Sequence, residues 1–249
     1  MVGDVAIVKL RPGAEGREEE LAKAILDEMK SVKCVYGQEG GIEGDFRLRK
    51  LRHIGGEART ETLHKENGIR LRLDVETCYF SPRLSTERLR IAGQVAEEEK
   101  VLNMFAGVGP FSILIAKQTK VWSCELNEAA FKFHVENNRL NKVERRVVMI
   151  EGDAMALPEK LAGDGPFDRI ILPHPSQSNR FLPAAVSMLS PGGVLHYYRH
   201  MTGRDSAEAA RNLRDELRAI TPTLSVRSVR KVRAIGPRYV ELVADLKTA

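Results

Sequence analysis

From Val101 onward the chain repeats one rhythm: a short apolar run, a turn, then a segment with apolar residues at helical spacing. VLNMF leads through AGVG into PFSILIAK, and KVWSCE leads into LNEAAFKFHVENNRL. RVVMIEG, FDRIILP and GGVLHYY are three further apolar runs, separated by a loop and by the helical pattern SNRFLPAAVSML. After the helical SAEAARNLRDEL, TLSVRSVRKVRAI and RYVELVADL alternate around Gly236-Pro237. Apolar strands that alternate with helices form a parallel sheet covered on both faces. The pattern therefore predicts a Rossmann-like, doubly wound α/β sheet closed by an antiparallel C-terminal hairpin.

The preceding residues follow a different pattern. DVAIVKL and VKCVY are strands flanking a turn at RPG and a helix at REEELAKAILDEMK, and the Gly-rich stretch to HKENGIRLRLDV adds antiparallel strands. Residues 1–78 are expected to form a small α+β domain and residues 79–249 the larger one. Between them, SPRLSTERLRIAGQVAEEE opens on Pro82 and predicts one long amphipathic helix.

Composition excludes several classes. With 43% hydrophobic and 29% charged residues in 249, the chain is neither disordered nor collagen-like and can bury a core. No apolar run approaches the roughly 18 residues of a membrane span, and MVGDVAIVKL lacks the plan of a signal peptide. A cytoplasmic monomer away from membranes is expected. Lys and Arg outnumber Asp and Glu by 39 to 34, a net charge of +5 that suits a polyanionic partner without requiring one. FRLRKLR and VRSVRKVR set positive charges on alternate residues, which serves either a phosphate backbone or a charge-protected edge strand. Cys34, Cys78 and Cys124 are widely spaced and the six histidines form no HExxH pair, so neither disulfide nor metal is expected.

The turn NMFAGVGPF is the most informative local feature. Gly107 and Gly109 stand where strand becomes helix, so backbone N–H groups can approach a polar or anionic ligand closely. A dinucleotide fingerprint needs a third glycine where Ser112 stands. Glu125 ends the second strand of the repeat, where it can accept both hydroxyls of a ribose, and Asp153 follows the third. A nucleoside cofactor without a pyrophosphate, S-adenosylmethionine, fits this set. The alternative is that both acids cap the helices that follow.

VETCYFSPRLSTER, NMFAGVGPFSILIAK and CELN, with HKENGIRLRLDV upstream and GGVLHYY downstream, resemble the archaeal and eukaryotic tRNA guanine-N1-methyltransferases, which modify guanosine 37 beside the anticodon. The resemblance covers nearly the whole chain and implies a class I S-adenosylmethionine-dependent fold with tRNA as partner. It implies catalytic roles for Glu87 as base and Arg47 as stabiliser of charge at guanine O6. Cofactor contacts are implied for Tyr79, Arg88, Phe105, Gly107, Glu125, Leu126, Asp153, Ala154 and Pro173. Three departures stand out: the sequence holds no counterpart of the family's tRNA-gripping N-terminal domain, Asn103 replaces the acid ending the first strand, and Ile171 replaces the asparagine opening the motif after the fourth. His174, Ser176 or Gln177 are candidates to replace that asparagine.

Guanine N1 carries a proton at neutral pH, so its methylation needs a base and a partner for the charge developing towards O6. Glu87, near a helix start, could instead close a capping box or meet the helix dipole, and Arg47 could be a phosphate contact. Two other functions fit the same fold: a wyosine-pathway transferase, moving an aminocarboxypropyl group or methylating a tricyclic precursor, and an RNA-binding relative without turnover. Retention of SPRL favours methyl transfer.

Overall fold

A computed structural model describes residues 1–9, 16–44 and 46–248, and the turn predicted at RPG lies outside them. The chain forms two compact units. The first contains residues 1–85 together with 107–110 and 127–142, and the second contains 86–106, 111–126 and 143–249.

In the first unit, β1 (Val5–Lys9) runs parallel to β2 (Cys34–Glu43) across α1 (Glu18–Glu28), and β3 (Leu48–Gly56) returns antiparallel to β2. Ala22 of α1 packs on Ala6, Val35 and Ile54 as a small core. A hairpin joins β4 (Glu61–Glu66) to β5 (Ile69–Asp74) through Asn67-Gly68, both with positive φ, the conformation that this dipeptide favours in two-residue turns.

In the second unit, α2 (Ser85–Ala92, its first residue in the other unit) precedes β6 (Val101–Asn103), α3 (Pro110–Ala116), β7 (Val121–Glu125) and, beyond α4 (Glu128–Leu140) of the first unit, β8 (Val147–Glu151). There follow α5 (Leu157–Lys160), β9 (Phe167–Leu172), α6 (Ser178–Ser187), β10 (Leu189–Thr202), α7 (Ser206–Ile220), β11 (Leu224–Gly236) and β12 (Tyr239–Thr248). The seven strands lie in the order β11-β12-β10-β9-β6-β7-β8, with β12 antiparallel to both its neighbours and the others parallel. This is the doubly wound sheet with an antiparallel hairpin that the sequence predicts. Strand order reverses between β6 and β9, where such sheets bind ligands at the carboxyl ends of the strands.

Strand residues alternate between faces. Leu102, Trp122, Ile170, Leu172, Leu195, Tyr197 and Leu242 bury one face against Phe181 of α6 and Leu213 of α7. The opposite face carries a transverse row in register, Ser123–Asn103–Ile171–His196–Asp245–Ser228, one residue from each of six strands. Ile171 is its one apolar member.

The long helix expected over SPRLSTERLRIAGQVAEEE is a correction. A 3-10 turn at Pro82–Leu84 precedes α2, which stops at Ala92. Gly93 follows, and the Arg169 guanidinium, paired with the Glu99 carboxylate, takes the Gln94 carbonyl, a backbone acceptor that a longer helix would have used.

Candidate active site

In the first unit the glycine turn is fastened by side chains. Gly107 and Gly109 have φ of 55° and 93°, left-handed backbone that a side chain would strain. Asn137 of α4, fully buried, donates to the Val108 carbonyl at 3.0 Å while holding the N–H and carbonyl of Arg72 at 2.7 and 2.9 Å. Asn141, one helical turn on, does the same for Arg70. Two amides spaced i, i+4 thus serve the β5 edge as a neighbouring strand would, and one of them also pins the turn.

Tyr79 is half-buried, and its carbonyl lies 3.8 Å from where a Cβ on Gly107 would stand. The Arg47 guanidinium lies over the Tyr79 ring at 4.5 Å, a cation–π contact. Arg47 itself adopts a φ of 56°, an unusual conformation for a non-glycine residue. The structure therefore brings Arg47, Tyr79 and Gly107 together, although they are distant in sequence.

In the second unit the carboxyl ends of the strands are stitched together: Ala106 N–H donates to the Cys124 carbonyl, Met104 N–H to Ile171, and Gly152 N–H to Glu125. Glu125 ends β7 half-exposed, and Leu126 beside it is 51% exposed. The cap of α4 is Asn127, which accepts from Ala129 and Ala130, so Glu125 is not a cap. Asp153 does cap, accepting from Met155 N–H with Oδ1. Ala154 is buried behind it and Pro173 half-buried after β9. Phe105 packs edge-on to Phe181 and tilted against His174, with centroids 4.7 and 4.8 Å away. His174 Nδ1 is 3.5 Å from Ser176 Oγ, and Gln177 N–H donates to the His174 carbonyl.

The strand-end departure has a structural basis. Asn103, fully buried, donates to Ser112 Oγ at 3.0 Å and accepts from Phe105 N–H, while Ser123 donates to the same Ser112 hydroxyl at 2.8 Å. An acid at 103 has no amide proton to donate. Ser112, where a dinucleotide fold would have glycine, is the hub of this cluster.

Glu87 lies in the first turn of α2, but it closes no capping box. Its Oε1 accepts from the Tyr198 hydroxyl and Arg90 Nη2, and its Oε2 from Arg90 Nε, each at 2.8 Å. Arg90 also grips Asp245 at 2.9 and 3.3 Å. Beyond it, His196 Nδ1 meets Asp245 at 2.7 Å, and His196 Nε2 meets Arg169, which is paired with Glu99. Burial alone would raise the Asp245 carboxyl, but His196 and Arg90 hold it well below the usual carboxylate range. Burial and the adjacent Glu87 carboxylate push the Tyr198 hydroxyl far up, so it remains a proton donor to Glu87. Arg88 on the same helix is 1% exposed.

Arg90, Tyr198, Asp245, His196 and Asn137 were not singled out by sequence reasoning. The available signal was a polar residue inside an otherwise apolar strand pattern, His196 in GGVLHYY and Asp245 in RYVELVADL, whereas Asn137 stands among the polar residues of ENNRL and gave no such signal.

The sequence model of the TRM5/TYW2 methyltransferase domain matches residues 62–221, and that of the TYW2 N-terminal domain matches residues 1–60. The tRNA (guanine(37)-N(1))-methyltransferase Trm5b of Pyrococcus abyssi is 40% identical across 100% of this chain and 74% of its own, and its crystal structure superimposes with a TM-score of 0.87. The tRNA 4-demethylwyosine(37)-methyltransferase Taw21 of Saccharolobus solfataricus is 33% identical over 99% of this chain and 92% of its own. TYW2 of Methanocaldococcus jannaschii, solved in complex with AdoMet, is 25% identical over 100% of this chain and 98% of that one, with a TM-score of 0.68. The resemblance carried by SPRLSTER and NMFAGVGPF is thereby confirmed, and the chain belongs to the TRM5/TYW2 family of methyltransferases.

Proposed function

We propose that this protein transfers a methyl group from S-adenosylmethionine to N1 of guanosine 37 in tRNA. The observation that carries this reading is the 40% identity to Trm5b along the whole chain, and Glu87 and Arg47 are the residues proposed to serve the guanine-N1 chemistry. The residues fit the cofactor. The positive-φ glycines keep side-chain bulk away from the turn, Glu125 ends β7 as a ribose acceptor, and Leu126 offers apolar surface to an adenine. Tyr79, Arg88, Phe105, Gly107, Asp153, Ala154 and Pro173 complete the proposed binding set.

Bound S-adenosylmethionine supplies an electrophilic methyl group. Glu87 takes the N1 proton, leaving the N1 electron pair to form the new bond. Arg47, a permanent cation preorganised on the Tyr79 ring, stabilises negative charge developing at O6. Residues 1–78 are proposed to contribute RNA contacts through Arg47 and the basic FRLRKLR stretch.

A second reading is methylation of 4-demethylwyosine at the same tRNA position, favoured by the TYW2 N-terminal match over residues 1–60 and the identity to Taw21. Incubation with methyl-labelled S-adenosylmethionine and either unmodified tRNA or tRNA carrying 4-demethylwyosine, followed by nucleoside analysis, separates the two. Label in 1-methylguanosine supports the first reading. Label only in the tricyclic base supports the second, and transfer of the carboxypropyl chain without methyl label overturns both.

A further inference from the structure

A carboxylate offers about four lone-pair positions to hydrogen-bond donors, and the buried chain around Arg90 divides these unequally. On Asp245 all four are taken: Oδ1 accepts from His196 Nδ1 and Arg90 Nη2, and Oδ2 from Arg90 Nη1 and Ser228 Oγ. On Glu87 three are taken among the described residues, two at Oε1 and one at Oε2. The side chains of Glu87, Arg90 and Asp245 are 10%, 14% and 14% exposed, so these bonds are sheltered from solvent. Among the described residues, the one open acceptor on the two carboxylates is the second lone pair of Glu87 Oε2.

We propose that Arg90 is a positioning residue for Glu87, held from behind by Asp245, and that together with Tyr198 it leaves that single Oε2 lone pair for the incoming N1–H. This rests on the reading of Glu87 as base. The planar guanidinium fork fixes a carboxylate in two places, which an ammonium cannot do. The second carboxylate has a distinct task. When Glu87 accepts the N1 proton it becomes neutral, and a buried Arg90 paired with Glu87 alone would then be left uncompensated, at high cost. Asp245 keeps Arg90 paired in both protonation states. His196, whose Nε2 accepts from Arg169, keeps its proton on Nδ1 and so orients Asp245 without adding charge.

The test is a double-mutant cycle on single-turnover methyl transfer to unmodified tRNA, with S-adenosylmethionine affinity titrated for each variant. Arg90→Lys, Asp245→Asn and Tyr198→Phe are each made alone and in a Glu87→Gln background. Each single variant is expected to lose at least about tenfold in rate, since displacement of a reacting group by about 1 Å can cost up to about 10²-fold. Cofactor affinity should stay within about twofold. In the Glu87→Gln background the same changes should add less than about twofold, the margin expected of groups acting through one carboxylate. Equal losses in both backgrounds, or wild-type rates in the single variants, overturn the proposal. A wild-type rate in Glu87→Gln alone instead overturns the base assignment beneath it. Should Arg90→Lys or Asp245→Asn fail to fold, Tyr198→Phe, which removes one hydroxyl and keeps the ring, completes the cycle.

Discussion

His196 Nε2 lies 2.8 Å from the Arg169 guanidinium, and because arginine only donates, that ring nitrogen must be the acceptor. The proton therefore sits on Nδ1, facing Asp245, and the fully buried imidazole is neutral, in keeping with burial driving its pKa down. His196 pairs in register with Ile171, which pairs in turn with Asn103. An isoleucine at 171 thus separates two polar clusters on one face of the sheet, Asn103–Ser112–Ser123 and His196–Asp245–Ser228. It is fully buried there, so His174, Ser176 and Gln177 in the following loop are the nearest polar residues in sequence on that strand's carboxyl side.

Glu125→Ala should weaken S-adenosylmethionine binding. Loss of a charged acceptor costs about 1.5–3 kcal/mol, roughly a 10- to 100-fold rise in Kd. Calorimetric titration measures it, and an unchanged Kd would place the cofactor elsewhere.

Arg47→Ala should reduce single-turnover methyl transfer by about 10²–10³-fold, the range for removing one donor to a developing oxyanion. Cofactor affinity should hold, because Arg47 is assigned to the base and not to the donor. A loss confined to tRNA affinity would make Arg47 a phosphate contact.

Ser112→Ala leaves the buried Asn103 amide and Ser123 hydroxyl without their shared acceptor. An unsatisfied buried polar group costs about 1–3 kcal/mol. Urea unfolding should show a loss of at least that size, and an unchanged midpoint would mean that the cluster rearranges freely.

His134 is fully buried in α4 with neither ring nitrogen bonded among the described residues, and burial lowers its pKa to about 3. The unfolded chain, with an ordinary imidazole near 6.5, binds the proton more readily than the folded protein between those two values. Stability should therefore fall as pH drops from about 6.5 towards 3, by up to about 1.4 kcal/mol per unit from this residue. His134→Phe should flatten that slope in urea melts at pH 7, 5.5 and 4.5. An unaltered slope would assign acid sensitivity to other groups, of which Asp245 contributes only below the ordinary carboxylate range.

The strand–helix repeat from Val101 onward, the glycine turn, and the acids Glu125 at the end of β7 and Asp153 after β8 are all set by local pattern. Apolar runs of strand length, glycines where φ is positive, and Asn67-Gly68 between alternating strands each carry their own physical reason, so the doubly wound sheet was legible without coordinates. SPRLSTER and NMFAGVGPF identified the family for the same reason: their information is contiguous.

What only the tertiary structure decided is the state of the charged and polar side chains. The length of α2 depended on Arg169, nearly eighty residues downstream, taking the Gln94 carbonyl. The capping box that Glu87 could have closed gave way to Tyr198 and Arg90, and the latter's second anchor, Asp245, lies 155 residues away on β12. Asn137 binds the glycine turn because the fold carries α4 past β5. A buried polar group must find a partner wherever the fold supplies one. Hydrophobic periodicity decides which face of an element is buried, whereas the partners found on that face are decided by the register between strands distant in sequence.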